Sequence, residues 1–107
     1  MLLAVACLAT TILVSSCRKK PKCDGTNSTY NSNIKTIIDS HCTNPSCHGS
    51  GSPNGDFRTY NGIKPKLTSG AFKEQVLDKR TMPQGSSLSK DELSKIACWS
   101  DHDYPEK

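Results

Sequence analysis

Residues 42–49 read Cys-Thr-Asn-Pro-Ser-Cys-His-Gly. Two thiols and an imidazole thus fall within seven residues, on a chain with few large apolar side chains. The sequence has 107 residues, of which 34% are hydrophobic, and it contains two Phe, three Tyr and one Trp. A chain of this length makes one small domain, and such domains commonly need a metal, a disulfide or a cofactor for stability. We therefore expect the fold to be organised around this segment.

The charge of the chain gives little support to nucleic-acid binding. The formal net charge is +4, a modest value for a chain with fourteen Lys and Arg. These residues do not form a basic face interleaved with aromatic side chains, which is the pattern that nucleic-acid binding favours. We therefore expect no nucleic-acid partner.

The N-terminus has the pattern of an exported protein. Residues 2–14 form an uncharged, mostly apolar run. A membrane-spanning helix needs roughly 18 apolar residues, so this run is too short to span and instead fits the core of a signal peptide. Residues 14–17, Val-Ser-Ser-Cys, resemble the lipobox of bacterial lipoproteins. An ordinary signal peptide followed by a chance cysteine is the alternative.

The lipobox resemblance implies three parts for the chain. Residues 1–16 would be a signal peptide, cleaved before Cys17, and Cys17 would carry the lipid. Residues 17–32, rich in Asn, Ser, Thr and Gly, would be the lipidated N-terminus and a flexible tether. Residues 33–107 would form the folded domain. The protein would then lie in the bacterial cell envelope, anchored to a membrane and facing the periplasm or the cell surface.

Apolar spacing predicts an all-α domain with about three helices and long loops, since no stretch alternates as a strand. The first helix is predicted over about residues 33–40, with Ser32 or Asn33 as its N-cap. It would lead the chain directly into Cys42. Residues 49–55 are rich in Gly, Ser, Pro and Asn and are predicted to be loop.

The middle of the domain is predicted to contain a short helical turn and a second helix. The turn would cover about residues 60–64 and end at Pro65. The second helix would cover about residues 70–79, with Ser69 as its N-cap. Its inward side chains would be Phe72, Val76 and Leu77.

The last helix has the clearest sequence signals. Ser89 and Glu92 make a capping box, and Leu88 and Leu93 occupy the positions of a hydrophobic staple. The helix is predicted to end near residue 100 and to be followed by a polar tail. Its buried stripe would contain Leu93, Ile96 and Ala97, with Trp99 beside it.

Two cysteines followed at once by a histidine are typical of covalent haem attachment. The thiols bond the two vinyl groups of the porphyrin, and the histidine binds the iron. The common form has two residues between the cysteines. Here four residues separate Cys42 and Cys47, and His48 follows immediately.

Three other interpretations of this segment stay open. A structural zinc site would use Cys42, Cys47 and His48 with His41 or His102, although the usual second ligand pair is missing. A Cys42–Cys47 disulfide is possible in an oxidising compartment. A catalytic Cys–His pair would need an orienting third group, which the sequence does not offer.

From residue 34 to residue 99 the chain resembles the cytochrome c family, in particular the small lipoprotein-type cytochromes c of bacterial envelopes. The resemblance rests on a helix that ends in Cys…Cys-His-Gly, on Tyr60 in a short turn, and on Met82-Pro83 in a loop. The final helix adds the pattern Leu-x-x-x-Glu-Leu-x-x-Ile-x-x-Trp at residues 88–99. The four-residue spacing between the cysteines departs from the family pattern.

This resemblance implies that His48 and Met82 are the axial ligands of the iron. A methionine ligand would raise the reduction potential relative to two histidines. His41 and His102 are the alternatives for the second axial position. The expected fold is a small cytochrome c-like domain around one covalent haem c.

The family fold also implies that the first and last helices cross. If they do, Cys23 and Cys98 can meet, and we predict a disulfide between them; two unpaired thiols are the alternative. The residues expected to pack across the crossing are Ile34, Ile37, Ile38, Leu93, Ile96 and Trp99.

The function implied by the resemblance is one-electron transfer by a lipid-anchored monohaem c-type cytochrome. Such a protein makes no bond in a substrate and is therefore not an enzyme, and it needs a redox partner protein. One alternative is a non-redox envelope lipoprotein domain, stapled by zinc or disulfides, that binds a partner protein. Another is a haem enzyme such as a peroxidase, with an open sixth position on the iron.

Overall fold

The fold is taken from a computed structural model that describes residues 19–107. The predicted signal peptide and Cys17 lie outside the described residues. Within this range the chain forms four helices and no strand, so the predicted all-α class is confirmed. None of the helices in residues 19–107 has the length and hydropathy needed to cross a membrane.

Helix α1 begins earlier than the sequence predicts. It starts with a π-helical segment, Tyr30–Ile34, and continues as an α-helix, Lys35–His41. The N-cap is Thr29, and neither Ser32 nor Asn33 has that role. The Ser32 backbone N–H donates to Thr29 Oγ1 at 3.2 Å, and the Thr29 N–H donates to Ser32 Oγ at 3.3 Å. This reciprocal capping box satisfies two backbone donors and moves the helix start toward the N-terminus.

Helix α2, Tyr60–Thr68, runs past the proline that was predicted to end it. A proline inside a helix costs about 3 kcal/mol, because it removes a hydrogen bond and crowds the preceding turn. Continuing the helix buries Leu67, which is 6% exposed. Burial of a leucine stabilises the fold by about 1.5–3 kcal/mol, which offsets much of the cost of Pro65. The carbonyl that loses its donor belongs to Asn61, an exposed residue that water can reach.

Helix α3 follows α2 almost directly. Its first part is α-helical, Ala71–Lys73, and its second part is π-helical, Glu74–Asp78. The connection turns at Gly70, whose φ of 82° favours glycine. The N-cap is Gly70 and not the predicted Ser69, although the Ser69 hydroxyl accepts a hydrogen bond from the Ala71 backbone N–H at 3.3 Å. The three side chains predicted to face inward are all buried: Phe72, Val76 and Leu77.

Helix α4, Lys90–Asp101, forms as the sequence predicts. The Glu92 backbone N–H donates to Ser89 Oγ at 3.1 Å, and the Ser89 N–H donates to Glu92 Oε1 at 2.9 Å. The residues expected to pack between α1 and α4 belong to one buried cluster, which contains Ile34, Ile37, Ile38, Leu93, Ile96 and Trp99.

The C-terminal tail is part of the fold, although its composition predicted only a polar tail. The Trp99 indole N–H donates to the Pro105 carbonyl at 2.9 Å. The same carbonyl accepts from the Tyr30 backbone N–H at 2.9 Å. The Tyr60 hydroxyl donates to the Tyr104 carbonyl at 2.8 Å. The tail therefore joins the starts of α1 and α2 to the end of α4.

The segment before α1 is also attached to the domain. Cys23 and Cys98 form a disulfide, the pair that the sequence predicted. Ser28 is 1% exposed, and the Lys19 carbonyl accepts a hydrogen bond from the Arg80 guanidinium at 3.2 Å. A flexible tether was expected up to residue 32, but the chain is fixed to the domain from Cys23 onward.

Replacing Cys23 and Cys98 together with Ala should lower the free energy of unfolding by roughly 3–5 kcal/mol in the chain-entropy model. The reason is that the disulfide joins residues 75 positions apart and so restricts the unfolded chain. Urea denaturation of the oxidised protein measures the change. The wild type under reducing conditions is the control and should match the double variant. Equal stability of the oxidised wild type and the double variant would contradict the prediction.

Candidate functional site

The four residues that the haem hypothesis singles out line one cavity. Its volume is about 420 Å³, and Cys42, Cys47, His48 and Met82 all contribute to its wall. This volume lies within the range of about 300–1,000 Å³ that is usual for ligand pockets. The apolar part of the wall comes from Phe57, Ala71, Phe72 and Val76. The cavity therefore lies between the loop after α1, helix α3 and the loop before α4.

Backbone hydrogen bonds close the loop that carries the two thiols. The Cys42 N–H still donates to the Ile38 carbonyl at 2.8 Å, so Cys42 continues the last turn of α1. The Cys42 carbonyl then accepts from the His48 N–H at 3.0 Å. Within the loop, the Cys47 N–H donates to the Asn44 carbonyl at 2.8 Å. The four-residue spacing is thus accommodated as a closed loop that returns Cys47 and His48 to the end of α1.

Close backbone contact explains the glycine that follows His48. A Cβ atom at Gly49 would lie 2.8 Å from the Thr43 carbonyl oxygen and 3.1 Å from that of Asn44. Both contacts are to backbone, which cannot move aside as a flexible side chain would. Any larger residue at position 49 would therefore open the loop that holds the two cysteines.

The imidazole of His48 is fixed on two sides. Its Nδ1 lies 3.3 Å from the Gly55 carbonyl oxygen, and its ring stacks on Phe57 with centroids 3.9 Å apart. Because a carbonyl only accepts hydrogen bonds, this contact places a proton on Nδ1, and in the neutral ring the lone pair is then on Nε2. Metal-binding histidines commonly donate their other ring N–H to a backbone carbonyl in this way. Sequence reasoning missed Gly55 in this role, because no side chain marks a backbone acceptor.

The loop that carries Met82 is held against helix α3. The backbone N–H groups of Thr81 and Met82 both donate to the Gln75 carbonyl, at 2.8 and 3.1 Å. The Gln75 side chain also lines the cavity and contacts the Thr81 hydroxyl. These contacts bring the Met82 side chain, which is half-buried, to the wall of the same cavity as His48.

The two histidines considered as alternative iron ligands have other contacts. His41 lines the cavity, but its Nε2 lies 2.9 Å from Glu92 Oε2 and its Nδ1 lies 3.2 Å from Ser86 Oγ. Both of its ring nitrogens are therefore engaged. His102 does not line the cavity, and its Nδ1 lies 2.8 Å from the Cys98 carbonyl at the end of α4. Met82 lines the cavity, and among the described residues its sulfur takes part in no hydrogen bond. Neither histidine combines these two properties.

The structure gives little support to a zinc site at the same residues. Cys42 and Cys47 are free thiols. Within residues 19–107, one group of three possible metal ligands has its ligand atoms within 4.8 Å of one another, namely Cys23, Asp24 and Cys98. The two cysteines of this group form the disulfide. Tetrahedral zinc needs ligand atoms that converge at about 2.0–2.3 Å from one centre, and Cys42 and Cys47 do not converge with His48 in this way.

Burial keeps the Cys42 thiol in its neutral form. Its pKa is raised to about 11, first by burial and then by the neighbouring Cys47 and Asp39. A catalytic nucleophile must be a thiolate, which a raised pKa disfavours. A thiol that becomes a thioether needs no such charge.

The residues of the cavity fit a covalently attached haem. Two free thiols precede an imidazole whose Nδ1 donates to a backbone carbonyl, a thioether also lines the cavity, and aromatic and aliphatic side chains supply the apolar surface. Each group matches one need of a haem: attachment, the two axial positions on iron, and exclusion of water.

Glu92 gives the site a testable dependence on pH. The pKa of its carboxyl is lowered, mainly by the hydrogen bond from the Ser89 backbone N–H and further by His41. Because the pKa of Glu92 is lower in the folded protein than its value of 4.5 in the unfolded chain, the ionised carboxylate stabilises the fold at pH values above 4.5. This stabilisation is lost as the pH falls through the pKa of the folded protein. Wild type should therefore lose stability on acidification below about pH 5, and Glu92→Gln should lose less.

Glutamine can still form the capping box, so this variant removes the charge and keeps the hydrogen bond. The measurement is the free energy of unfolding at pH 6 and at pH 3.5, each by urea denaturation. Asp91→Asn, at an exposed neighbour in the same helical turn, is the control. Identical losses of stability in Glu92→Gln and in wild type would contradict the assignment.

Comparison with known proteins places the chain in no family. No family model, no curated protein and no solved structure matches it. The residues that line the cavity are therefore the basis on which a function can be assigned.

Proposed function

We propose that the protein is an exported, lipid-anchored monohaem c-type cytochrome that transfers single electrons. Cys42 and Cys47 hold one haem c covalently, His48 is the proximal ligand of the iron, and Met82 is the second axial ligand. The fold would then be a small variant of the cytochrome c type.

One observation carries this proposal. Met82 is far from Cys42, Cys47 and His48 in the sequence, yet all four residues line one cavity of about 420 Å³. The sequence contains one other methionine, Met1. The fold thus brings the one internal thioether of the sequence to the cavity that the two free thiols and the imidazole line.

The residues in and beside the cavity would have separate roles in this function. A bound haem supplies a one-electron couple between ferrous and ferric iron. Gly55 holds the proton of His48 on Nδ1, so that Nε2 is free to bind iron. Phe57, stacked on the imidazole, fixes the orientation of the ring. The apolar wall excludes water, and a thioether at Met82 would raise the reduction potential relative to a second histidine.

The proposed partners follow from the proposed function. A lipid on Cys17 would hold the protein on a membrane of the bacterial envelope, on the periplasmic side or at the cell surface. An electron carrier also needs a redox partner protein. No substrate bond is made or broken, so we propose an electron carrier and no enzymatic activity.

A non-redox envelope lipoprotein domain is the second candidate, and the disulfide favours it. The Cys23–Cys98 bond can staple a small domain without any cofactor. In that case the cavity would bind part of a partner protein. A haem enzyme with an open sixth position is a third candidate, and it would require that Met82 does not bind the iron.

The proposal predicts a c-type haem in the purified protein. Expressed in a bacterial host close to its source, the protein should give the reduced pyridine haemochrome spectrum of haem c. The colour should survive extraction with acid acetone, because thioether bonds do not dissociate. Cys42→Ala/Cys47→Ala should lose the haem on extraction, whereas the control Cys23→Ala/Cys98→Ala should keep it. A colourless protein that is correctly exported would contradict the proposal and favour the second candidate.

Met82→Ala should remove the methionine–iron bond. The expected results are a loss of the six-coordinate low-spin spectrum and a lower reduction potential, since methionine ligation raises the potential. Gln84→Ala is the matched control, because Gln84 lies in the same loop and lines the same cavity without a thioether. An unchanged low-spin spectrum in Met82→Ala would remove this residue as a ligand.

A further inference from the structure

The wall of the cavity contains a cation and no carboxylate. Lys66 is the one lysine or arginine among the lining residues of the described chain, and no Asp or Glu lines the cavity. The side chain leaves the last turn of α2 and is half-buried. Its Cε lies 3.8 Å from the place where a Cβ of Gly55 would be. Lys66 therefore lies beside the residue whose carbonyl orients His48.

The ammonium of Lys66 has no counter-ion within residues 19–107. Six ion pairs are present there, and they involve Lys20, Lys35, His41, Arg58, Lys79 and Lys95. The Lys66 side chain also donates no hydrogen bond to another residue of this range. A negative group brought into the cavity could therefore form a charge-assisted hydrogen bond with this ammonium.

The negative group that would pair with Lys66 has to belong to the ligand. A haem would bring two propionate carboxylates, and no Asp or Glu lines the cavity to repel them. The amide side chains that line the cavity, those of Asn54, Gln75 and Gln84, are neutral. Lys66 is therefore the one lining residue with an ammonium group.

We propose that Lys66 binds a propionate carboxylate of the haem and so selects a ligand with a free carboxylate. This inference rests on the proposed haem site and assigns one residue of this chain to one chemical group of the ligand. Lys64 offers a comparison, since it lies on the same helix, is exposed and does not line the cavity.

The test uses the full chain expressed without haem and two porphyrin probes. Iron mesoporphyrin has ethyl groups in place of the vinyl groups, so it binds reversibly and forms no thioether. Its dimethyl ester has the same ring and no free carboxylate. The single tryptophan, Trp99, packs against Phe72 in the cavity wall with ring centroids 5.9 Å apart, and quenching of its fluorescence reports binding.

Lys66→Met should weaken binding of the free acid by about two- to fivefold, the range expected for a partly exposed ion pair. Binding of the ester should not change, because it has no carboxylate to lose. Lys66→Arg keeps the charge and should retain the wild-type affinities, as should the control Lys64→Met. The comparison of two ligands in two variants isolates the pairwise interaction from any general effect of the substitution on the fold.

Equal weakening of both probes, or no weakening of either, would overturn the role of Lys66 while leaving the haem site in place. A wild-type protein that binds neither porphyrin would overturn the haem site itself, and the inference with it.

Discussion

The burial of one indole positions the helices around the cavity. Trp99 is fully buried, and its ring contacts those of Tyr30, Phe72 and Tyr104, at the start of α1, in α3 and in the tail. Its N–H is satisfied by the Pro105 carbonyl, as a buried tryptophan requires. Phe72 contacts this indole and also lines the cavity. The hydrophobic core and the cavity thus share a wall, and a ligand that fills the cavity would extend the core.

Features fixed by neighbouring residues could be predicted from the sequence. The capping box of Ser89 and Glu92 depends on residues three apart, and helix α4 forms where that pattern places it. The inward residues of α3 follow from helical spacing alone. The residues of the candidate site could also be named, since Cys42, Cys47 and His48 form one short motif and the sequence has a single internal methionine.

Features that depend on backbone groups or on distant parts of the chain could not be predicted. Gly55 contributes only a carbonyl to His48, and no residue type signals a backbone acceptor. Helix α2 passes through Pro65 because burial of Leu67, a tertiary effect, offsets a local penalty. The composition predicted only that the tail is polar, yet the Pro105 carbonyl accepts hydrogen bonds from two helices.

The disulfide near the N-terminus also sets how far the domain can travel from a membrane. Fully extended, the six residues from Cys17 to Cys23 span about 20 Å, whereas the twelve residues to Thr29 would span about 40 Å. The contact between the Lys19 carbonyl and Arg80 shortens the free segment further. If the protein is the lipid-anchored electron carrier proposed above, the oxidised form would exchange electrons close to the bilayer surface. Reduction of the disulfide would lengthen the segment between the lipid and the domain. The domain could then meet partners farther from the membrane.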